Sequence, residues 1–217
     1  HNFYPRPHTG LGEDYVQKQT QWLQNQGISV GLFIPSQAGR RLPLREGLPT
    51  LEDDRNRTVD LAARHAQAMG ADTVYIGDSA PSQEELTALS HAGREEKGRI
   101  VLKARLLSHD PFLQDLLSQP MTARLDPAQD VIRAAESRSR LQGHIISGDE
   151  TADQPVSYGD ITVDNEGYGR YMGEVQISLK SYPGGPNCNR AAYILPEEQF
   201  LIPYITPGRA FRLEFVR

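Results

Sequence analysis

The chain has 217 residues, of which 38% are hydrophobic and 24% charged, with a formal charge of -5. That balance is one of an ordinary globular protein, neither disordered nor embedded in a membrane, and its longest apolar stretches, such as 28–34, fall far short of a bilayer's thickness. The negative charge gives no support for general binding to nucleic acid or to an anionic membrane.

The chain opens on HNFYPRPHTGLG, which reads as a polar strand-to-loop crossing at the mouth of a site, with its supporting strand expected upstream. The spacing predicts a helix over 16–26, with Val16, Trp22 and Leu23 as its apolar positions and Gly27 as its stop. ISVGLFI (28–34) reads as a strand covered on both faces. A long loop follows, and a helix is predicted over 54–69, with Val59, Ala62, Ala66 and Met69 sharing a face. TVYIG (73–77) is a second buried strand, and Ser82 with Glu85 forms a capping box for a helix over 83–91. These are β-α units of a parallel sheet.

Beyond Gly93 the rhythm changes. A strand is predicted over 99–107 and a helix over 127–138 with Asp126 as its cap; Arg133 and Arg138 would share that helix. Short strands then follow, GHIIS, GDITVDN, GEVQISLKSY, RAAYILP and AFRLEFVR, broken by glycine and proline. In GEVQISLK, Val175, Ile177 and Leu179 face one way. This pattern suggests a small, mostly antiparallel barrel, with the boundary between the two regions in 93–98. The only cysteine, Cys188, has no partner for an internal disulfide, which points to a reducing, cytoplasmic setting.

In α/β sheets, ligands collect where strands give way to helices at their carboxyl ends. Three such ends are available: the opening segment with His1, Asn2, Tyr4, Arg6 and His8; the loop 35–55, long for a β-α connection; and Gly77-Asp78-Ser79. Asp78 follows a buried strand directly and reads equally as a turn aspartate or as a functional carboxylate. Glu46 and Glu52 lie on the long loop, where each could be a solvated side chain or one of the two carboxylates that glycoside hydrolysis needs. Arg6, Arg40, Arg41 and Arg45 could grip phosphate or carboxylate bidentately, or form a solvated face. In 157–171, Tyr158, Tyr168 and Tyr171 stand beside Asp160, Asp164, Asn165 and Arg170, a mixture suited to sugar contacts and equally to packing. No metal or cofactor is expected. His1 and His8 lack a third ligand at metal-site spacing, GLGEDY lacks the dinucleotide glycine pattern, and Ser79 and Ser82 lack a nucleophile-elbow context.

These segments resemble the MupG-type family of 6-phospho-N-acetylmuramidases. The resemblance is carried by HNFYPRPHTGL (1–11), REGLPTLEDDR (45–55), IGDSAPS (76–82), VIRAAESR (131–138) and YGDITVDNEGYGRYMGEVQISLK (158–180). It implies an α/β plus β fold. Residues 1–95 would be the last units of a TIM-type (β/α)8 barrel, whose earlier strands would precede His1, and 96–217 a small cyclophilin-like β-barrel. It implies a glycosidase of peptidoglycan recycling acting on a phosphorylated amino-sugar disaccharide. Asp78 with Glu46 or Glu52 would do the catalytic work, and Arg6, Arg45 and Arg138 would meet anionic groups. His1, Asn2, Tyr4 and Asp160 would make further substrate contacts. Two stretches depart from the family pattern: EDDR (52–55) stands for E-x-H-R, and NCNRAA (187–192) for a stretch often reading N-V-V-G. The alternatives are a non-catalytic sugar-phosphate-binding module and an inactive fragment, since three β-α units cannot close a barrel and a second copy of the chain would have to cover the open edge.

Overall fold

The computed structural model describes residues 1–216. The chain divides into two compact units, His1–Gly98 and Arg99–Arg217.

The first unit contains helix α1 (Glu13–Asn25), strand β1 (Gly31–Ile34), helix α2 (Val59–Ala68), strand β2 (Thr73–Ile76) and helix α3 (Gln83–Ala92). β1 and β2 pair in parallel, with Gly31 opposite Thr73 and Ile34 opposite Ile76. A parallel pair needs a crossover, and α2 supplies it. Its alanines at 62, 63, 66 and 68 are all buried, so its backbone can lie close to its neighbours. The helix begins later than its apolar pattern suggests, because the Thr58 side chain caps it and a short 3-10 turn, Glu52–Asp54, stands before it. Trp22 is not a core residue: it is 58% exposed, and α1 turns Val16 and Thr20 inward instead. Val16 and Thr20 are one turn apart, whereas Trp22 falls on another flank. Ser82 and Glu85 form the capping box at α3.

The second unit is built on strands β3 (Ile100–Leu106), β4 (Met121–Thr122), β5 (Val131–Arg133), β6 (Asp160–Asp164), β7 (Val175–Ser178), β8 (Cys188–Ile194) and β9 (Ala210–Phe215). They form one sheet in the order β4-β9-β3-β8-β6-β7-β5. Only β3 and β9 pair in parallel; the other neighbours are antiparallel. The end strands approach one another through a bridge between Ala123 and Ala134, where Arg124 N–H donates to the Arg133 carbonyl (3.0 Å) and Ala135 N–H to that of Thr122 (2.9 Å). The sheet therefore curls back on itself around a core that includes Leu102, Ile161, Val175, Ile177 and Phe211.

The predicted helix over 127–138 is absent. Val131–Arg133 pairs with β7, and a 3-10 turn follows at Arg138–Leu141, so Arg133 and Arg138 share no helix. Strand pairing overrides a local alanine-rich helical preference here. Asp126 caps nothing; it binds Arg124 and Arg133 instead. GHIIS is not a strand but an irregular segment. Helix α4 (Pro111–Ser118), which begins with Asp110 as its cap and Pro111 in its first turn, buries Leu113, Leu116 and Leu117.

Candidate functional site

In the first unit, three chain segments meet beyond the carboxyl ends of β1 and β2. The opening segment runs beside β1: the His1 nitrogen donates to the Gly31 carbonyl (3.0 Å), and Phe3 meets Phe33 edge to face at 5.3 Å. Thr50 joins strand, loop and opening segment, its hydroxyl accepting from Phe33 N–H (2.9 Å) and donating to the Asn2 carbonyl (2.9 Å).

The long loop is fastened at three places. Asp78, 6% exposed, accepts from the N–H groups of Ser36 (2.9 Å), Arg41 (2.8 Å) and Leu48 (3.2 Å), so both of its oxygens are engaged by loop backbone. Gly77 before it is required sterically, since a Cβ there would lie 2.5 Å from the Leu48 carbonyl oxygen. Glu85 accepts from the Ser36 hydroxyl (2.6 Å) and from Gln37 and Ala38 N–H, while also closing the capping box. Burial acts against the charge on Glu85, but these donors outweigh it and hold the carboxyl below its ordinary range.

Arg55 is the third fastening. Its guanidinium is buried, donates to the carbonyls of Tyr4, Arg6, Glu46 and Gly47, and pairs with Glu52 at 2.7 Å. Glu52 in turn accepts from His8 N–H (2.8 Å) and Gly10 N–H (2.7 Å). The Arg55 fork, opposed by burial and helped by these amides, holds Glu52 at about 2.

This bracing leaves residues 41–46 exposed, with Leu42 and Leu44 largely in solvent. Arg45 and His8 both have left-handed backbone, at φ 56° and 64°. Non-glycine residues held there carry strain that the surrounding structure has to sustain. Of the three expected carboxylates, Asp78 and Glu52 are therefore engaged in holding backbone, and Glu46 stands exposed on the loop tip. Arg6 and Arg45 are exposed; Tyr4 is half-buried.

Arg138 and Asp160 belong to the second unit. Asp160 is 2% exposed, accepts from Ser157 N–H and pairs with Arg190 at 2.7 Å. Arg138 lies over the Tyr171 ring (5.3 Å) and 3.8 Å from Glu174, which Arg124 (3.9 Å) and Arg133 (3.8 Å) also approach. Sequence reasoning passed over Arg55 and His65, and saw Glu85 only as part of a capping box. The spacing of Glu52 and Arg55 was a usable signal, as an i,i+3 pair in a loop. His65 is fully buried between Asp54 (2.7 Å) and Glu13 (3.2 Å); burial opposes its charge, yet the carboxylates raise its pKa. Among the described residues, no group of three or more His, Cys, Asp or Glu is disposed to hold a metal ion, and no helix is long and apolar enough to cross a membrane.

Two family descriptions match the chain: "6-phospho-N-acetylmuramidase, N-terminal" over residues 1–91, and "6-phospho-N-acetylmuramidase, C-terminal" over 88–214. Two solved structures resemble it. One is an uncharacterized protein of B. cereus, with 30% identity and a TM-score of 0.89 over 99% of this chain and 62% of that one. The other is a conserved protein of unknown function from Enterococcus faecalis, with 32% identity and a TM-score of 0.67 over 99% of this chain and 57% of that one. The chain thus spans roughly three fifths of each. No curated protein matches it.

Proposed function

We infer that this chain, which belongs to the 6-phospho-N-acetylmuramidase family, is part of a glycoside hydrolase that cleaves the bond between 6-phospho-N-acetylmuramic acid and N-acetylglucosamine. Residues 1–95 are then the closing β/α units of a TIM-type barrel, and 96–217 a cyclophilin-like barrel. The observation that carries the reading is the braced loop at the ends of two parallel strands, which presents an exposed Glu46 directly after the exposed Arg45. Catalysis of this kind depends on groups held in place before the substrate arrives.

Within this reading the three carboxylates divide their work. Glu46 acts on the glycosidic oxygen or on the attacking water, because it is the carboxylate free to touch a ligand. Glu52 and Asp78 position the backbone around it, Glu52 through Arg55 and Asp78 through three loop amides. Arg6, Arg41 and Arg45 meet the phosphate and lactyl carboxylate, whose planar oxygen pairs suit guanidinium forks. His1, Asn2 and Tyr4 contact sugar hydroxyls.

The test is release of N-acetylglucosamine from the 6-phospho disaccharide by the full-length protein and by its Glu46→Gln variant. Loss of a general acid or base is expected to lower kcat about 100-fold or more with a smaller change in KM. Wild-type turnover in the variant would remove Glu46 from the chemistry. No turnover by the full-length protein would defeat the hydrolase reading and leave a binding module.

A further inference from the structure

A second site with its own chemistry lies in the second unit, on one face of the curled sheet. The strand register sets Thr162 opposite Gln176 and Asp164 opposite Cys188, while Ile161, Val163, Val175 and Ile177 occupy the other face. A sheet whose apolar side fills the core has no packing need for a buried carboxyl on the opposite side. Yet Asp164 is only 7% exposed there, and a cavity of about 490 Å³ opens beside it. That volume is within the usual range for small-molecule pockets, roughly 300–1,000 Å³.

The cavity combines two kinds of surface. Tyr168 and Tyr182 contribute rings, with Val131 and Val156 adding apolar wall. Asp164, Gln176 and Cys188 contribute polar groups, and Gln176 donates to Asp164 at 3.3 Å. Beneath them the buried Thr162 hydroxyl is near Cys188 and Tyr182, without a hydrogen bond of good geometry. Lys180, the cation of the cavity lining, is half exposed and already bound to Asp130 at 2.8 Å.

The charge balance selects the ligand. Burial, reinforced by Glu174 and opposed by the Cys188 thiol and Arg138, pushes Asp164 up to about 7. Burial likewise pushes Cys188 up to about 11. Near neutrality Asp164 is therefore partly protonated, Cys188 keeps its proton, and the cation of the lining, Lys180, is committed to Asp130. An anion entering the cavity would meet the Asp164 carboxyl and find Lys180 already bound to Asp130. A neutral ligand that both donates and accepts, and has one apolar face for an aromatic ring, meets every surface present.

We propose that this cavity binds a neutral pyranose, with hydroxyl or acetamido groups on Asp164 and Gln176 and the apolar ring face on Tyr168. The site shares no residue with the braced loop of the first unit, and its occupation does not depend on hydrolysis taking place. It gives the second unit a ligand-binding role.

Saturation-transfer NMR on the full chain, with N-acetylglucosamine as probe, tests this directly. Saturable binding is expected, weakened about tenfold in Tyr168→Ala and in Gln176→Leu, each losing one principal contact. Tyr168 is 47% exposed, so its removal leaves the fold intact, and circular dichroism checks both variants. Glucuronate should bind more weakly than N-acetylglucosamine. Absence of saturable binding overturns the proposal. So does binding whose affinity neither cavity variant changes, or that favours glucuronate.

Discussion

Asp164 shows how a single carboxyl can be placed against its own ionisation. Its folded-state pKa of about 7 lies above the unfolded value of 3.8, so the folded chain holds a proton that the unfolded chain has lost. Stability is then unpenalised below the unfolded value, falls as pH rises between the two, and stays reduced above the folded one. Each pKa unit corresponds to about 1.4 kcal/mol, so the swing amounts to a few kcal/mol. Thermal unfolding of Asp164→Asn should show a flatter profile between pH 4 and 7 than the wild type, and a higher Tm at pH 8. An unchanged pH profile would show that Asp164 ionises as it does in solvent. Glu52 works in the opposite sense. Held at about 2 by Arg55, it contributes stability above its unfolded pKa and loses it as pH falls toward that lower value.

The long loop is the element in which these residue-level effects accumulate. Asp78 accepts three backbone amides through both of its carboxyl oxygens, an arrangement that Asn cannot reproduce because its NH2 group would face a donor. Asp78→Asn should therefore destabilise the protein by about 1–3 kcal/mol and loosen 36–48, giving faster amide exchange there while α2 stays protected. Unchanged exchange at Ser36, Arg41 and Leu48 would show that Asp78 does not hold the loop. Much of this element was readable in the sequence: its excess length, the glycine before Asp78, and the Ser82–Glu85 box all pointed to it. The division of labour was not. Whether a loop carboxylate touches a ligand or a backbone amide depends on partners far off in sequence, such as His8 and Gly10 for Glu52 and Ser36 and Arg41 for Asp78, which no local pattern reports. For the same reason 127–138 read as a helix: its alanines are visible in the sequence, but its pairing with β7 is set far along the chain, where Val131 meets Ser178. Trp22 misled because its apolar character says nothing about which flank of α1 is covered.

At the scale of the whole molecule, the chain passes from one compact unit to the next through a short, largely exposed stretch between Ala92 and Arg99 that carries Arg94 and Lys97. Exposed linkers with few crossing contacts are where proteases enter first. Brief trypsin treatment should therefore cut at Arg94 or Lys97 and leave a resistant fragment beginning near Arg99. In Asp78→Asn, early cuts should appear at Arg41 or Arg45 as well. If the wild type is cut first within 40–45, the loop is less firmly braced than its hydrogen bonds indicate. One carboxylate gives that bracing a wider meaning. Glu85 both caps α3 and grips Ser36, Gln37 and Ala38. The base of the loop cannot swing out without giving up all three of its bonds to Glu85, so loop base and helix are tied through one side chain. A substrate arriving there would meet a fixed socket, and selection would rest on shape and charge already in place, with movement left to the tip at 41–46.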